Sequence, residues 1–203
     1  ADDPDWIVFP RLCLTGASCG DLFRQKLLQT ASLQALLDLV PLTAGMPSKV
    51  LLGLPLAIGD EVFEGVVLLN DGEVKALMVT DHPDSPALSS SARLPENAQI
   101  KLGDKLISLT TCQPFRFGNV EFLLGHQQPT ENETDLLINL VTLPALAPAE
   151  ENLQTAFDPA ARQGITVICS AGASESTTDQ VFSGKAAIWQ NGRRLEAAPE
   201  LSF

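Results

Sequence analysis

Two cysteines near the start of the sequence could act as nucleophiles. Cys13 lies two residues after Arg11, and Cys19 lies just before a predicted helix. A neighbouring cation or a helix amino terminus favours the thiolate, which is the nucleophilic form of cysteine. The competing interpretation is that both thiols are small packing side chains. Cys112 and Cys169 lie in or beside apolar strands and are predicted to be structural.

The two histidines, His82 and His126, are the other side chains suited to proton transfer or metal binding. One of them could pair with a cysteine, or both could hold a metal together with Asp81 or Asp84. No H-x-x-H or H-x-x-x-H spacing supports a metal site, and zinc sites usually show such spacings. Solvated surface histidines are therefore the competing interpretation.

The composition is that of an acidic globular chain. Its 203 residues carry 13 Lys+Arg and 25 Asp+Glu, for a net charge of −12, which argues against nucleic acid and anionic membranes as partners. A hydrophobic fraction of 45% predicts one folded domain over residues 1–203. The sequence begins without a basic segment and has no run of about 18 apolar residues, so neither a signal peptide nor a membrane span is expected. The cysteine usage predicts reduced thiols and a cytoplasmic location.

Hydrophobic spacing predicts the elements that must position these side chains. Apolar residues at helical spacing predict a helix over residues 20–40, and a weaker pattern interrupted by Pro159 predicts another over 149–163. Turn residues at Asp71-Gly72 and Asn191-Gly192 predict two β-hairpins. The predicted strands are 5–10, 50–56, 64–69, 73–79, 101–111, 120–124, 135–141, 165–169, 185–189 and 194–197.

Several of the predicted strands are apolar throughout rather than alternating. Strands of this kind are covered on both faces, so the pattern predicts an α/β fold in which helices and sheets form layers. A layered α/β sandwich follows from this pattern, whereas the order of the strands does not.

Three segments carry a resemblance to a known family. They are V-F-P to T-G at residues 8–16, L-G-L-P at 52–55 with the following hairpin, and E-S-T-T-D at 175–179 followed by I-W-x-N-G at 188–192. The chain resembles the nitrilase superfamily of carbon–nitrogen hydrolases, and within it the amide-hydrolysing domain of glutamine-dependent NAD synthetase. The resemblance implies a nitrilase-like four-layer α-β-β-α sandwich, here short of the family's first strand and helix.

The resemblance also indicates where catalytic side chains would lie. That family uses a Glu-Lys-Cys triad, in which the glutamate is the base, the cysteine attacks an amide carbonyl and the lysine stabilises the oxyanion. The matching positions here are Arg11, Thr80 and Gly125. A shift of one residue in the match restores neither the lysine nor the cysteine. The sequence therefore predicts that the triad is replaced.

The residues expected around the pocket have changed as well. The family's N-L-S-x-S-P strand and a downstream arginine, which help to hold glutamine, correspond to residues 139–144 and Ala149, where the serines and the arginine are absent. The loop at 175–179 would lie near the pocket and near subunit contacts, although its hydroxyls could simply satisfy backbone groups. The pocket-lining candidates are His82, His126, Thr142, Glu175, Ser176 and Thr177.

These replacements predict a degenerate carbon–nitrogen hydrolase domain that serves assembly or ligand binding without a cofactor or metal. The alternative is a working amidase or glutaminase that uses Cys13 or Cys19 as a displaced nucleophile, or that receives missing groups from a partner chain. The resemblance implies a homodimer or larger homo-oligomer, with a synthetase-type protein as a further expected partner. The sequence contains neither S-G-G-x-D-S nor a P-loop, so no ATP or NAD chemistry is expected of it.

Overall fold

The structure, a computed structural model, separates into two compact units, residues 1–112 and 113–203. It describes residues 3–81, 83, 85–112, 115–124, 128–129, 134–142, 158–170, 172, 176–177, 181–182 and 184–198. The single domain expected over 1–203 stays a prediction. Within the described ranges, no helix is long and apolar enough to cross a membrane.

The first unit is built on a five-stranded sheet. In chain order its strands are β1 (Trp6–Val8), β2 (Lys49–Ile58), β3 (Glu61–Asn70), β4 (Glu73–Thr80) and β7 (Thr110–Cys112), and they lie in that same order across the sheet. Strands β2, β3 and β4 are antiparallel, whereas β1 and β7 join the two edges in parallel. A separate two-stranded hairpin of β5 (Gln99–Leu102) and β6 (Lys105–Ser108) belongs to the same unit.

One helix, α1 (Lys26–Leu39), covers one face of this sheet. Its sequence is rich in Leu, Ala and Gln, which lose little freedom in a helix, and Leu36 is fully buried. Leu36 packs with Leu54 of β2 and with Phe63 and Val67 of β3 in the main core of the unit. Burying these side chains supplies the hydrophobic stabilisation that a 14-residue helix would lack on its own.

The helix predicted over residues 20–40 is interrupted, which corrects that prediction. A short 3₁₀ helix spans Gly20–Arg24, and Gln25 then adopts extended backbone angles before α1 begins. The N–H of Gln25 bonds the carbonyl of Leu22, which closes the 3₁₀ turn. Burial of Phe23 in a second small core accounts for the break, because an uninterrupted helix would turn that side chain elsewhere.

The second unit is built on a six-stranded sheet in the order β13-β12-β11-β10-β9-β8. The strands are β8 (Phe115–Phe117), β9 (Val120–Leu124), β10 (Leu136–Val141), β11 (Ile165–Ser170), β12 (Ala186–Gln190) and β13 (Arg193–Ala197). Strands β9, β10 and β11 are parallel and largely buried.

Both predicted hairpins are confirmed, since Asp71-Gly72 joins β3 to β4 and Asn191-Gly192 joins β12 to β13.

The structure also differs from the predicted strand over 101–111 and bears on part of the predicted helix over 149–163. The single strand predicted over 101–111 is wrong, because Gly103 takes a positive φ of 59° and turns the chain into the β5–β6 hairpin before β7 begins. Only the end of the helix predicted over 149–163 lies within the described residues, and there the chain forms a short 3₁₀ helix at Pro159–Ala161.

Candidate functional site

A tight turn follows β1 and carries the first of the expected site residues. Leu12 is buried yet has a φ of 55°, which a non-glycine residue rarely adopts. Gly53 of β2 allows the turn to approach, since a Cβ at that position would lie 2.5 Å from the Leu12 nitrogen and 3.0 Å from the Arg11 Cα. Backbone strain of this kind is typical of functional sites.

Arg11 forms a buried ion pair at this turn. Its Nε donates to Oε1 of Glu64, which lies on β3, and both side chains are 0% exposed. Buried charges are tolerated only when they are paired and hydrogen-bonded, because each one loses its hydration. The polypeptide therefore holds Arg11 and Glu64 together, and removing either would leave the other charge buried alone.

Thr80 lies on the same side of the sheet, at the end of β4. The register that pairs Gly65 with Val79 places Thr80 beside Glu64, and Thr80 is also 0% exposed. Because side chains alternate along a strand, Glu64 faces away from the core that contains its neighbour Phe63 and helix α1. The first unit thus brings together two of the three positions that the resemblance matched to the triad, with Glu64 between them.

This arrangement has limited chemical capacity. A guanidinium stays protonated at neutral pH and only donates hydrogen bonds, so Arg11 cannot take a proton from a nucleophile. The hydroxyl of Thr80 carries no charge with which to stabilise an oxyanion as an ammonium group would. The carboxylate of Glu64 already accepts from Arg11.

The two candidate nucleophiles are both engaged with the backbone. The thiol of Cys13 donates to the carbonyl of Gly53 at 3.6 Å, and that of Cys19 donates to the carbonyl of Thr15 at 3.1 Å. Cys13 packs against the main core of the first unit, and Cys19 packs against the core that contains Phe23. Because both thiols pack against apolar side chains and contact a backbone carbonyl, this geometry agrees with packing side chains.

Some of the remaining candidates lie within the residues that the structure describes, and others lie outside them. Thr142 follows β10 and is half-buried, Ser176 accepts a hydrogen bond from the N–H of Phe182 at 3.0 Å, and Thr177 is exposed. The bond to Phe182 agrees with the interpretation that the loop hydroxyls satisfy backbone groups. The candidates that lie outside the described residues are His82, Asp84, Gly125, His126 and Glu175.

The acidic candidate Asp81 contacts a neighbouring hydroxyl. Its carboxylate accepts a hydrogen bond from the hydroxyl of Ser91. Across the described part of the chain, no group of three or more His, Cys, Asp or Glu side chains lies close enough to hold a metal ion.

A second buried cation lies in the second unit. Arg162 is 3% exposed and donates from Nη2 to the Thr134 hydroxyl at 2.7 Å. Burial lowers the pKa of Arg162, and the charge of Glu121, which is 0% exposed, opposes that shift. Since the carboxylate of Glu121 favours the charged guanidinium, each unit combines a buried arginine with a buried glutamate.

Sequence reasoning missed Glu64, which is the central residue of the site. A signal was present, because Glu64 is a lone carboxylate within the apolar stretch 62–69. A charge in such a strand requires a buried partner, and Arg11 is another charge next to an apolar strand. Pairing two such charges could have been predicted, although their separation of 53 residues gave no local indication of contact.

Comparison with solved structures defines the class of fold. Glutamine-dependent NAD(+) synthetase from Cytophaga hutchinsonii matches 98% of this chain, and 35% of its own chain, with a TM-score of 0.76 at 17% identity. A nitrilase-superfamily amidase from Nesterenkonia sp. AN1 matches 97% of this chain, and 74% of its own, with a TM-score of 0.61 at 13% identity. The chain therefore has the nitrilase fold, as the resemblance implied.

Sequence comparison points to particular relatives. Glutamine-dependent NAD(+) synthetase from Mycobacterium tuberculosis (strain H37Rv) is 28% identical over 209 residues, covering 93% of this chain. The enzyme of Mycobacterium leprae is 27% identical over 206 residues, covering 91% of it. The chain spans only 31% and 30% of the length of these relatives. No protein-family profile matches the chain.

Proposed function

We propose that this chain is a degenerate carbon–nitrogen hydrolase domain, related to the glutaminase part of glutamine-dependent NAD synthetases, that serves assembly or ligand binding instead of catalysis. The observation that carries this proposal is the buried ion pair between Arg11 and Glu64. It occupies the position at which the resemblance expects the catalytic base.

Both charge and geometry support this proposal. A base must accept a proton from the nucleophile, and Arg11 is a permanent cation whose Nε is bound to Glu64. At the other two matched positions, Thr80 has a neutral hydroxyl and Gly125 has no side chain at all. Members of a catalytic triad act as a unit, and losing one of them typically costs several orders of magnitude in rate. Losing all three removes the chemistry that the fold supports in its relatives.

The strained turn at Leu12 fits a history of catalysis. A leucine at a φ of 55° that lies close to Gly53 costs conformational free energy. Conformations of this kind cluster at functional sites and are uncommon in connections with a purely structural role. Such turns hold a side chain at a set position beside a strand end. Here the turn holds Arg11 against Glu64, so the geometry that once served a base now serves an ion pair.

An assembly role agrees with the surface around α1. Leu22, Leu27 and Leu42 lie on or beside this helix and are 51%, 81% and 68% exposed. Leu27 lies on α1, Leu22 lies in the 3₁₀ helix before it and Leu42 follows it, and large exposed apolar side chains are candidates for an interaction surface. We propose a homodimer that pairs through this surface. A synthetase-type protein is the other partner in keeping with the relatives, which are about three times as long as this chain.

The catalytic half of the proposal is tested by measuring ammonia release from glutamine, acetamide and formamide at high protein concentration. No turnover above the buffer control is expected, with or without prior treatment with iodoacetamide. Turnover that iodoacetamide abolishes would contradict the proposal and support the amidase alternative. The variants Cys13→Ser and Cys19→Ser would then identify the nucleophile.

The assembly half is tested by sedimentation velocity of the full chain and of Leu27→Asp. A dimer that dissociates in Leu27→Asp is the expected result. Leu195→Asp serves as the control, because Leu195 is also exposed, at 53%, but lies on β13 of the second unit. A monomeric wild-type chain, or a dimer unaffected by Leu27→Asp, would contradict the proposed surface.

A further inference from the structure

One face of the parallel strands β9, β10 and β11 carries buried polar side chains among apolar ones. The register pairs Asn139 of β10 with Leu123 of β9 and with Ile168 of β11. Because paired residues of neighbouring strands point to the same side, these three side chains lie next to one another. All three are 0% exposed. The carboxamide of Asn139 is therefore enclosed between two aliphatic neighbours.

More polar side chains lie on this face, two residues further along the strands. Glu121, Thr166 and Ser170 are in register with the β10 residues two positions before or after Asn139. Their exposed fractions are 0%, 1% and 4%. Diagonal neighbours of this kind are separated by about 7–8 Å between Cα atoms. That distance is too long for most direct contacts between short side chains, but a small molecule can bridge it.

Asn139 has unmet hydrogen-bonding capacity. Neither Oδ1 nor Nδ2 is exposed, and neither has a hydrogen-bond partner among the residues that the structure describes. A carboxamide offers two N–H donors and an oxygen with two lone pairs. Buried polar groups in folded proteins almost always have partners, including ordered water, since an unpaired one costs free energy. The group that satisfies Asn139 must both donate and accept.

We infer that Asn139 binds one small uncharged molecule within this face of the second unit. The chemistry requires a molecule that donates and accepts at once, which water does and which the smallest primary amides, such as formamide, also do. Leu123 and Ile168 disfavour a charged molecule directly beside Asn139, because burying a charge between aliphatic side chains is unfavourable, and the charge of Glu121 is already opposed by that of Arg162. The hydroxyls of Thr166 and Ser170 are further polar groups on the same face. This inference does not depend on the proposed loss of catalysis.

The test is nuclear magnetic resonance of the full ¹⁵N-labelled chain. Magnetisation transfer from water to the side-chain amide protons of Asn139 would show a long-lived bound water. A second sample with ¹³C-formamide would show transfer from the formyl proton if an amide occupies the site. Transfer from either molecule supports the inference and identifies the source, whereas its absence in both samples would overturn the inference.

The variant Asn139→Leu gives an independent test by the sign of its effect on thermal unfolding. If Asn139 binds a small molecule, the variant loses the hydrogen bonds between that molecule and the carboxamide. The midpoint of thermal unfolding is then expected to fall by about 2–4 °C. If the carboxamide is unsatisfied, a leucine of similar shape removes a penalty and the midpoint rises, which would overturn the inference. Thr166→Val serves as a second probe, because it removes one hydroxyl from the face without changing its shape.

Discussion

At the scale of single residues, the buried charges of Arg11 and Glu64 depend on each other. The two side chains are fully buried and bonded to each other, so each one makes the other tolerable. Replacing Arg11 by glutamate would bring two carboxylates together in a buried site, where like charges resist ionisation. Glu64 therefore makes an acidic residue at position 11 unfavourable.

This dependence predicts a non-additive pair of variants. Arg11→Met leaves the Glu64 carboxylate buried without its partner, and we expect it to lower the free energy of unfolding by about 3–5 kcal/mol. Arg11→Met combined with Glu64→Leu removes both charges and should lose much less, because an apolar pair fills a similar volume. Urea unfolding of the two single variants and the double variant measures the coupling. Additive losses would show that the ion pair does not hold these residues together.

A second prediction concerns the turn at Leu12. Gly53→Ala places a methyl group 2.5 Å from the Leu12 backbone nitrogen, and we expect it to cost about 1–3 kcal/mol or more because backbone cannot move aside easily. Gly65→Ala is the matched control on the adjacent strand, where the new methyl group meets the Leu56 side chain. That side chain can change rotamer, so a smaller loss of stability is expected. Equal losses in urea unfolding would argue against the tight approach at Gly53.

At the scale of elements, the turns of the two hairpins are stabilised in the same way. Asp71 and Asn191 both adopt positive φ, at 49° and 48°. Each side chain also accepts a hydrogen bond from the backbone N–H of a distant glycine, Gly45 at 2.9 Å and Gly164 at 2.8 Å. Short polar residues tolerate this conformation better than most others do. The tips are therefore fixed both by their own turn type and by a bond to another segment.

At Asn191, the contribution of the left-handed conformation can be separated from that of the side-chain hydrogen bond. Asn191→Ala loses both the favourable left-handed conformation and the bond to Gly164, and we expect it to cost about 1–2 kcal/mol. Asn191→Gly loses only the side-chain bond, because glycine adopts positive φ freely, so it should be less destabilising. Thermal unfolding of the two variants makes the comparison. If Asn191→Gly is as damaging as Asn191→Ala, the left-handed conformation contributes little and the loss is that of the side-chain bond to Gly164.

The elements also show what the sequence could and could not predict. Asp71-Gly72 and Asn191-Gly192 are local signals with a steric cause, so both hairpins could be located from the sequence. The break at Gln25 could not be located, since it depends on where Phe23 finds its core. The contact between Arg11 and Glu64 joins residues far apart in sequence, and its existence depends on the register of β2 and β3.

At the scale of the whole molecule, the fold is shared with relatives whose sequences differ extensively from this one. A TM-score of 0.76 over 98% of the chain accompanies only 17% identity to the Cytophaga synthetase. A fold of this kind is maintained by apolar strands and turns, which tolerate extensive substitution as long as volume and pattern persist. Catalysis depends on a few side chains at fixed positions, and it is lost by changing them. Similarity of fold therefore carries no activity to this chain.

This separation predicts which substitutions are needed to restore activity. Arg11→Glu alone should release no ammonia from glutamine and should destabilise the first unit, because Glu64 stays beside it. Adding Glu64→Gln, Thr80→Lys and Gly125→Cys supplies the three triad side chains and removes the like charge. Since triad members act as a unit, only the fourfold variant is expected to exceed the wild-type rate in a glutamate dehydrogenase-coupled assay. Circular dichroism and urea unfolding confirm that each variant is folded before its rate is compared. Turnover by Arg11→Glu alone would argue against Arg11, Thr80 and Gly125 as the positions of the lost triad.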